Sequence, residues 1–306
     1  MTDLHTSPRE TAEREVEVEA ELGQSVALQA ETVRGRERRS VLGSMAAAPP
    51  WVGALVGIVL IVAIWQVVAV TLFSVTGSVP PPGQVLVQLV TDLSDLVYWR
   101  AIGATAGSAA WGFLWGNLIA FALAFAVLLV PWFEGLSTQL AVVCSCIPLT
   151  AIAPIVTLMS PAGGRTTSIF LAALSVIFTT VIGTLLGLRA ASETQLDVIT
   201  AYGGSRWTQL VKVRLIAALP SILAALKLAA PAAFLGAVLG EYFLIGVDQG
   251  LGILLLAAQA TAASVKLWAL ALISGGIAGI AYFVIGRISR LVTPWSAGDS
   301  RAGEGF

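Results

Sequence analysis

Residues Ser192–Ser221, SETQLDVITAYGGSRWTQLVKVRLIAALPS, form a long polar interruption between strongly apolar segments. Ser192 and Gln195 have the spacing of a capping box, which satisfies backbone donors at a helix start. Gly203–Gly204 is expected to end that helix near Tyr202, because glycine adopts left-handed backbone angles without steric cost. The pattern therefore predicts a short helix followed by a glycine turn.

A second short helix is predicted after the turn. Ser205 is placed to cap it, and apolar residues then recur at helical spacing on one side. Pro220 suits the first turn of a helix and is expected to begin the next apolar segment. Two interpretations fit this hairpin. It either docks on a partner protein or lies as an amphipathic element on the membrane surface.

The composition indicates an integral membrane protein of the all-α class. Of its 306 residues, 57% are hydrophobic and 11% charged, whereas roughly a quarter of the residues in a soluble domain are charged. The net charge of −1 does not suggest a nucleic-acid partner. Cys144 and Cys146 lie two residues apart in an apolar segment and are poor disulfide partners. His5 is the single histidine, so no cysteine–histidine metal spacing exists and no metal site is expected.

Six apolar stretches are long enough to cross a bilayer as helices. They are Trp51–Phe73, Thr105–Val130, Leu136–Met159, Thr167–Leu188, Ser221–Ile245 and Leu267–Val292. Residues 1–45 form a charged tail, which is expected to be solvated, with a contact to a partner or to lipid as the alternative. Val85–Trp99 is modestly amphipathic and could lie along the outer surface. The apolar run 248–263 is short, so it predicts a partly buried outer segment rather than a span.

The basic residues predict the orientation. With the N-terminus inside, thirteen of the seventeen Lys and Arg residues fall on the inner side and three on the outer side. Those three are Arg100, Arg165 and Lys266, and Lys227 lies within the fifth predicted span. The excess of positive charge therefore places both termini, and the hairpin, in the cytoplasm.

The residues of the hairpin carry a resemblance to a known family. The pattern resembles the cytoplasmic signature of ABC importer permeases, in the version found in the sulfonate, taurine and nitrate group. Its matching residues are Asp197, Gly203, Ser205, Arg206, Trp207, Val213, Leu219 and Pro220. The segments PPPGQVL, CIPLTAIAPIVTLM and LKLAAPAAFLGAVLGEYF, the last followed by GLG, are also similar to the family, so the resemblance covers about residues 79–295.

The resemblance implies a permease domain over residues 46–295, with a coupling region at 190–219 and a short cytoplasmic tail at 296–306. It implies a multi-pass subunit of the bacterial inner membrane that works as a pair of permease chains. An extracytoplasmic binding protein would deliver a small anion such as a sulfonate, taurine or nitrate. Separate ATPase subunits would bind ATP and magnesium and dock on Asp197, Gly203, Gly204, Ser205, Arg206, Trp207, Leu219 and Pro220.

The chain itself shows no sign of catalysis or of a cofactor. It has no glycine-rich phosphate loop ending in Gly-Lys-Ser/Thr, and no nucleophile with a matching base. The rival function is a secondary transporter or channel that is not coupled to ATP. Such a protein would show paired carboxylates or an internal repeat, and neither is visible in the sequence.

Four residues are candidates for the transport pathway or its gates. Lys227 could extend its ammonium to the inner surface or pair with an acid at an interface. Glu241 is expected to bind backbone or another side chain near the outer end, with a substrate contact as the alternative. Pro148 and Pro154 free backbone carbonyls in the third span, and therefore indicate either a pathway wall or ordinary kinks.

Overall fold

The computed structural model describes residues 50–129, 139 and 148–297, and this part of the chain is helical without strands. Its helices are, in chain order, α1 Pro50–Thr71, α2 Pro82–Leu93, α3 Leu96–Leu129, α4 Leu149–Met159, α5 Thr166–Leu188, α6 Glu193–Ala201, α7 Arg206–Gln209, α8 Leu215–Glu241, α9 Leu251–Ala260 and α10 Ser264–Val292. A π-helical turn, Leu210–Arg214, joins α7 to α8, and a short 3₁₀ helix, Pro294–Ala297, follows α10. The all-α prediction is confirmed.

Five helices within the described residues are long and apolar enough to cross a membrane. They are α1, α3, α5, α8 with the short helix that leads into it, and α10. Of the predicted third span, Leu136–Met159, the structure describes residue 139 and the part from 148 onward, where α4 occupies Leu149–Met159. The number six therefore stays a prediction. The predicted tail 1–45 lies outside the described residues, and so does the predicted tail 296–306 from residue 298 onward.

Helix α5 is packed between α3 and α8 through residues without large side chains. Gly112 and Gly116 of α3 lie against Ala172 and Ala173 of α5. Gly236 and Gly240 of α8 approach α5 so closely that added β-carbons would lie within 2.5 Å of its atoms. Lipid provides no hydrophobic drive between helices, so van der Waals contact at such close approach is what holds the three together.

A buried hydrogen bond links α3 and α5 about midway along this interface. The Thr180 hydroxyl donates to the Asn117 side-chain oxygen over 2.7 Å, and the Asn117 amide donates to the Phe113 carbonyl over 2.7 Å. Both residues are buried. Their polar groups are therefore satisfied inside the bundle, as an apolar surrounding requires.

The expectation that Pro220 begins a helix was wrong. The chain is already helical from Arg206 and stays helical through the π-turn and through Pro220, up to Glu241. Ala218, two residues before the proline, is fully buried against Gly187 of α5. Packing inside the bundle therefore overrides the local preference of proline for a first turn.

The amphipathic segment Val85–Trp99 was also expected to be one surface element, and the structure divides it. Helix α2 ends at Leu93, and α3 begins at Leu96. The Asp95 carboxylate accepts a hydrogen bond of 2.9 Å from the Val97 amide, which starts α3 nine residues before the predicted second span. Asp95 is a favourable N-cap residue, so the sequence already held a signal for the start of α3 at Leu96.

Close packing at Gly116 can be tested against a matched glycine of the same helix. A β-carbon at Gly116 would lie 2.5 Å from the Ala173 carbonyl oxygen, whereas one at Gly107 would meet nothing within 4 Å. Gly116→Ala should lower the free energy of unfolding by about 1–3 kcal/mol through overpacking. Gly107→Ala should leave it unchanged or raise it by up to ~1 kcal/mol through helix propensity. Thermal unfolding of the purified variants in detergent measures both, and equal melting temperatures would contradict the packing described.

Candidate functional site

The first arm of the hairpin, α6, is held by the predicted capping box. The Ser192 hydroxyl accepts from the Gln195 amide over 3.3 Å, and the Gln195 side chain accepts from the Ser192 amide over 3.3 Å. Asp197 is exposed on this arm and makes no ion pair with any described side chain. Its expected role in docking a partner stays a prediction.

The turn between the arms depends on both glycines. Gly203 has φ +74°, the left-handed conformation expected after a helix end. Its amide donates to the Thr200 carbonyl over 2.9 Å, and the Gly204 amide donates to the Ile199 carbonyl over 2.8 Å. A β-carbon at Gly204 would lie 2.4 Å from the Ile199 side chain, so this position also requires glycine.

The second arm starts at Ser205, whose hydroxyl accepts from the Thr208 amide over 3.3 Å. The Gln209 side-chain amide then bonds across the hairpin, to the Thr200 hydroxyl over 2.8 Å and to the Leu196 carbonyl over 3.2 Å. Gln209 was not singled out from the sequence. It fastens the second arm to the first and thereby makes the hairpin one unit.

The hairpin presents two aromatic side chains that the rest of the described chain does not cover. Tyr202 is 89% exposed and Trp207 is 67% exposed. The side chain of Arg206 lies outside the described part. Leu219 and Pro220 are half-buried within α8 and belong to the bundle rather than to the exposed hairpin. A groove of about 410 Å³ continues from the hairpin to Trp295, lined by Val198, Lys212, Val213 and Ile216 among others.

The opposite end of the bundle is organised around the Glu241 carboxylate, which is buried at the end of α8. It forms an ion pair of 3.2 Å with Arg165, the residue just before α5. The Thr105 hydroxyl of α3 lies 2.9 Å from both carboxylate oxygens. The Gly252 amide of α9 donates to the carboxylate over 2.8 Å. We call Glu241, Arg165 and Thr105 the Glu241 cluster.

Two glycines make room for this carboxylate. A β-carbon at Gly250 would lie 2.6 Å from the Glu241 carboxyl carbon, and one at Gly252 would lie 2.7 Å from the Glu241 β-carbon. The Leu251 amide between them donates to the Thr105 hydroxyl over 2.9 Å. The Arg165 guanidinium also donates to the carbonyl of Gln249. The start of α9 is therefore in direct contact with all three side chains of the Glu241 cluster.

The contacts of Glu241 match one of the two interpretations left open by its sequence. Its oxygens accept hydrogen bonds from Arg165, Thr105 and Gly252, and an ion pair with hydrogen bonds on both oxygens offsets the desolvation of a buried carboxylate. Its position favours a role in holding segments together over direct contact with a solute. The role itself stays a proposal.

Lys227 belongs to α8, and its side chain extends to α10. Its ammonium nitrogen lies 4.3 Å from the centre of the Tyr282 ring, and its side chain runs past Gly286, where an added β-carbon would lie 3.1 Å from it. No carboxylate of the described residues pairs with it. The face of the Tyr282 ring stabilises the Lys227 ammonium, whereas the sequence suggested either a partner acid or the inner membrane surface.

The two prolines of the predicted third span are placed at α4. Pro148 immediately precedes α4 and Pro154 lies inside it, and both are exposed in this chain. The Thr157 and Thr167 hydroxyls are 3.0 Å apart and connect α4 to α5. The pathway role of the prolines stays a prediction.

Arg165 and Thr105 are the functional candidates that the sequence missed. In the sequence, Arg165 stands out only as a basic residue of the outer side, and Thr105 only as the start of the second predicted span. Their distances in sequence from Glu241 are 76 and 136 residues. A buried glutamate demands a partner, so a search among the few basic residues of the same side would have found Arg165.

A bundle of apolar spans, with a polar hairpin at one end and a buried ion pair at the other, defines a polytopic membrane protein of the permease class. Residues 112–294 match the family described as "Binding-protein-dependent transport system inner membrane component". The chain belongs to this family, and the resemblance to ABC importer permeases seen in the hairpin is confirmed.

Three named relatives support the same family. A "Probable ABC transporter permease protein" of Haemophilus influenzae is 31% identical over 231 residues, which cover 76% of this chain and 91% of the relative. The "Riboflavin transport system permease protein RibX" of Chloroflexus aurantiacus is 28% identical over 253 residues, or 81% of this chain and 91% of the relative. The "Putative aliphatic sulfonates transport permease protein SsuC" of Bacillus subtilis is 28% identical over 270 residues, or 85% and 88%.

The turn chemistry predicts a difference between two substitutions at Gly203. Asparagine tolerates left-handed backbone angles, whereas a β-branched residue there is a steric outlier. Gly203→Val should therefore weaken the hairpin by roughly 1–2 kcal/mol, and Gly203→Asn should weaken it by less. Hydrogen–deuterium exchange of peptides covering residues 193–209 measures the effect. Equal protection in the two variants would show that the turn does not depend on this conformation.

Proposed function

We propose that this chain is the membrane permease subunit of an ATP-driven importer, in which the hairpin receives the ATPase subunit. The observation that carries the proposal is the exposure of Tyr202 and Trp207 on a rigidly capped hairpin. Large exposed aromatic side chains beside a polar turn are typical anchors of a protein interface. The relative named as a probable ABC transporter permease supports the same role.

The hairpin is also placed to pass on movement. Helix runs without interruption from Trp207 to Glu241, across the membrane. Closure of two ATPase subunits would displace the hairpin, and the continuous helix would carry that displacement through the bundle. This is alternating access driven from the cytoplasmic side, with ATP and magnesium bound by the partner.

The orientation that this function needs has both termini and the hairpin in the cytoplasm and the Glu241 cluster outside. The distribution of basic residues supports it. The remaining partners would be a second permease chain and an extracytoplasmic binding protein that delivers the solute. The binding protein belongs to the proposal through the description of the family, and the second permease chain through the resemblance to ABC importer permeases.

For the solute, we propose a small organic or inorganic anion, with sulfonates, taurine and nitrate as the first compounds to test. The relative named as an aliphatic sulfonates permease supports that choice, while the relative named as a riboflavin permease adds flavins to the panel. Uptake of labelled compounds by cells that express the complete transporter would decide among them. Uptake that does not require ATP would instead support a secondary transporter.

Docking can be tested by removing one aromatic side chain. Trp207→Ala should lower co-purification of the ATPase subunit of the same transporter at least about tenfold, because a central interface tryptophan is worth 2 kcal/mol or more. The matched control is Trp111→Ala, which removes a tryptophan that is 55% exposed on the span α3 instead. Equal recovery of the ATPase with the two variants would make the hairpin a surface element only.

The proposed orientation is tested by cysteine labelling in intact cells, after Cys144 and Cys146 are replaced by serine. A membrane-impermeant maleimide should label Gln259→Cys, which lies at an exposed position of α9. It should label Tyr202→Cys only after the cells are opened. The reverse pattern would invert the topology and contradict the proposed function.

A further inference from the structure

Helix α9 depends on other helices for the cap at its start. Its N-cap residue is Gly250, which has no side chain to accept a hydrogen bond. The first amides of a helix lack intrahelical partners and need acceptors. Here the Leu251 amide donates to Thr105 of α3, and the Gly252 amide donates to Glu241 of α8. Both acceptors are side chains of other helices of the same chain, α3 and α8.

The carboxylate that caps α9 is in turn held by Arg165. A negative charge at a helix N-terminus is stabilising, but a buried carboxylate without a partner is costly. Arg165 supplies the positive charge and also donates to the backbone carbonyl of Gln249. Three backbone groups within four residues, those of residues 249, 251 and 252, are therefore bonded to the Glu241 cluster.

Helix α9 lies over the interior of the bundle rather than crossing it. It has ten residues, too few to span a bilayer. Its buried side chains Leu251, Leu255 and Ala258 belong to the same apolar cluster as Tyr98, Ala101 and Val238. Removing α9 from this position would open the end of that cluster to water.

The far end of α9 is followed by a strained turn. Ala262 has φ +52°, the one positive φ angle among the described residues other than glycine. Such a conformation persists only when the surrounding structure imposes it. Helix α9 is thus capped by side chains of other helices at its start and followed by a strained residue at its end. Both features are expected of a helix that can move to a second position.

We propose that α9 is the outer seal of this permease subunit, and that Glu241, Arg165 and Thr105 are positioning residues that act as its latch. The proposal rests on the proposed function for its orientation. While the latch is intact, α9 covers the outer end of the apolar cluster. When the ion pair is broken, α9 loses its cap and moves away, and the interior becomes accessible from outside.

The test uses two neighbouring reporters in the full-length chain without its native cysteines. Ala258→Cys places a thiol at a position of α9 that is 3% exposed, and Gln259→Cys places one at the exposed position beside it. Intact cells are treated with a membrane-impermeant maleimide and the labelling rates are compared. With the latch intact, the buried reporter should react at least about tenfold more slowly than the exposed one, because protection follows the population of opened states.

The latch variants are then combined with the buried reporter. Arg165→Met leaves Glu241 buried and unpaired, and should raise labelling at position 258 about tenfold. The double variant Arg165→Met/Glu241→Gln removes the unpaired charge and should be labelled more slowly than Arg165→Met alone. Thr105→Val should raise labelling, whereas Thr180→Val, the same chemical change at another buried threonine of the bundle, should not.

Gel filtration in detergent separates opening from unfolding, since an opened variant still elutes as a single symmetric peak. The proposal is overturned if properly folded Arg165→Met and Thr180→Val show the same labelling, or if the double variant is labelled as fast as the single one. Should Gln259→Cys react only in opened cells, the proposed orientation is wrong. The same comparison in inverted vesicles then tests the latch by itself.

Discussion

The packing of the bundle depends on how closely helices α3 and α8 approach helix α5. In hydrocarbon no water is released when apolar helices meet, so their association relies on close contact. Gly112 and Gly116 allow that contact on the side of α3, and Gly236 and Gly240 allow it on the side of α8. Because α5 thus sets the distance between α3 and α8, it also sets the distance between Thr105 and Glu241, which meet 2.9 Å apart. The small residues of the middle and the polar cluster of the end are parts of one arrangement.

Much of the fold could be predicted from hydropathy and from caps, because both act locally. The capping box at Ser192 and the left-handed Gly203 stand where the sequence placed them. One error occurred where packing between distant helices decides, and another where a local cap was overlooked. Pro220 reads locally as a helix start, yet Ala218 before it is already buried in the bundle. The start of α3 was placed too late because hydropathy locates the apolar centre of a helix, whereas a side-chain cap at Asp95 sets its first residue.

The two ends of the bundle differ in how much of each could be predicted. The hairpin is continuous in sequence, so its turn and both arms could be identified, and only the cross-link made by Gln209 was missed. The other end draws on four separate segments. Glu241 was noticeable as a rare charge in an apolar segment, but nothing local points from it to Thr105 or to Arg165. Arg165 could have been found among the few basic residues of that side, but the whole cluster, with Thr105, can be recognised only when the fold brings its members together.

The π-turn at Leu210–Arg214 bears on how such a chain can change during evolution. Each residue of an α-helix turns the chain by about 100°, so an insertion between Pro220 and Glu241 would rotate the carboxylate away from its partners. A wide turn absorbs one extra residue within a helix. Because the π-turn precedes Pro220, the hairpin can change the direction it faces while the segment from Pro220 to Glu241 keeps its orientation. Insertions and deletions should accordingly be better tolerated within Leu210–Arg214 than between Pro220 and Glu241, so that the hairpin and the membrane segment of one continuous helix can diverge at different rates.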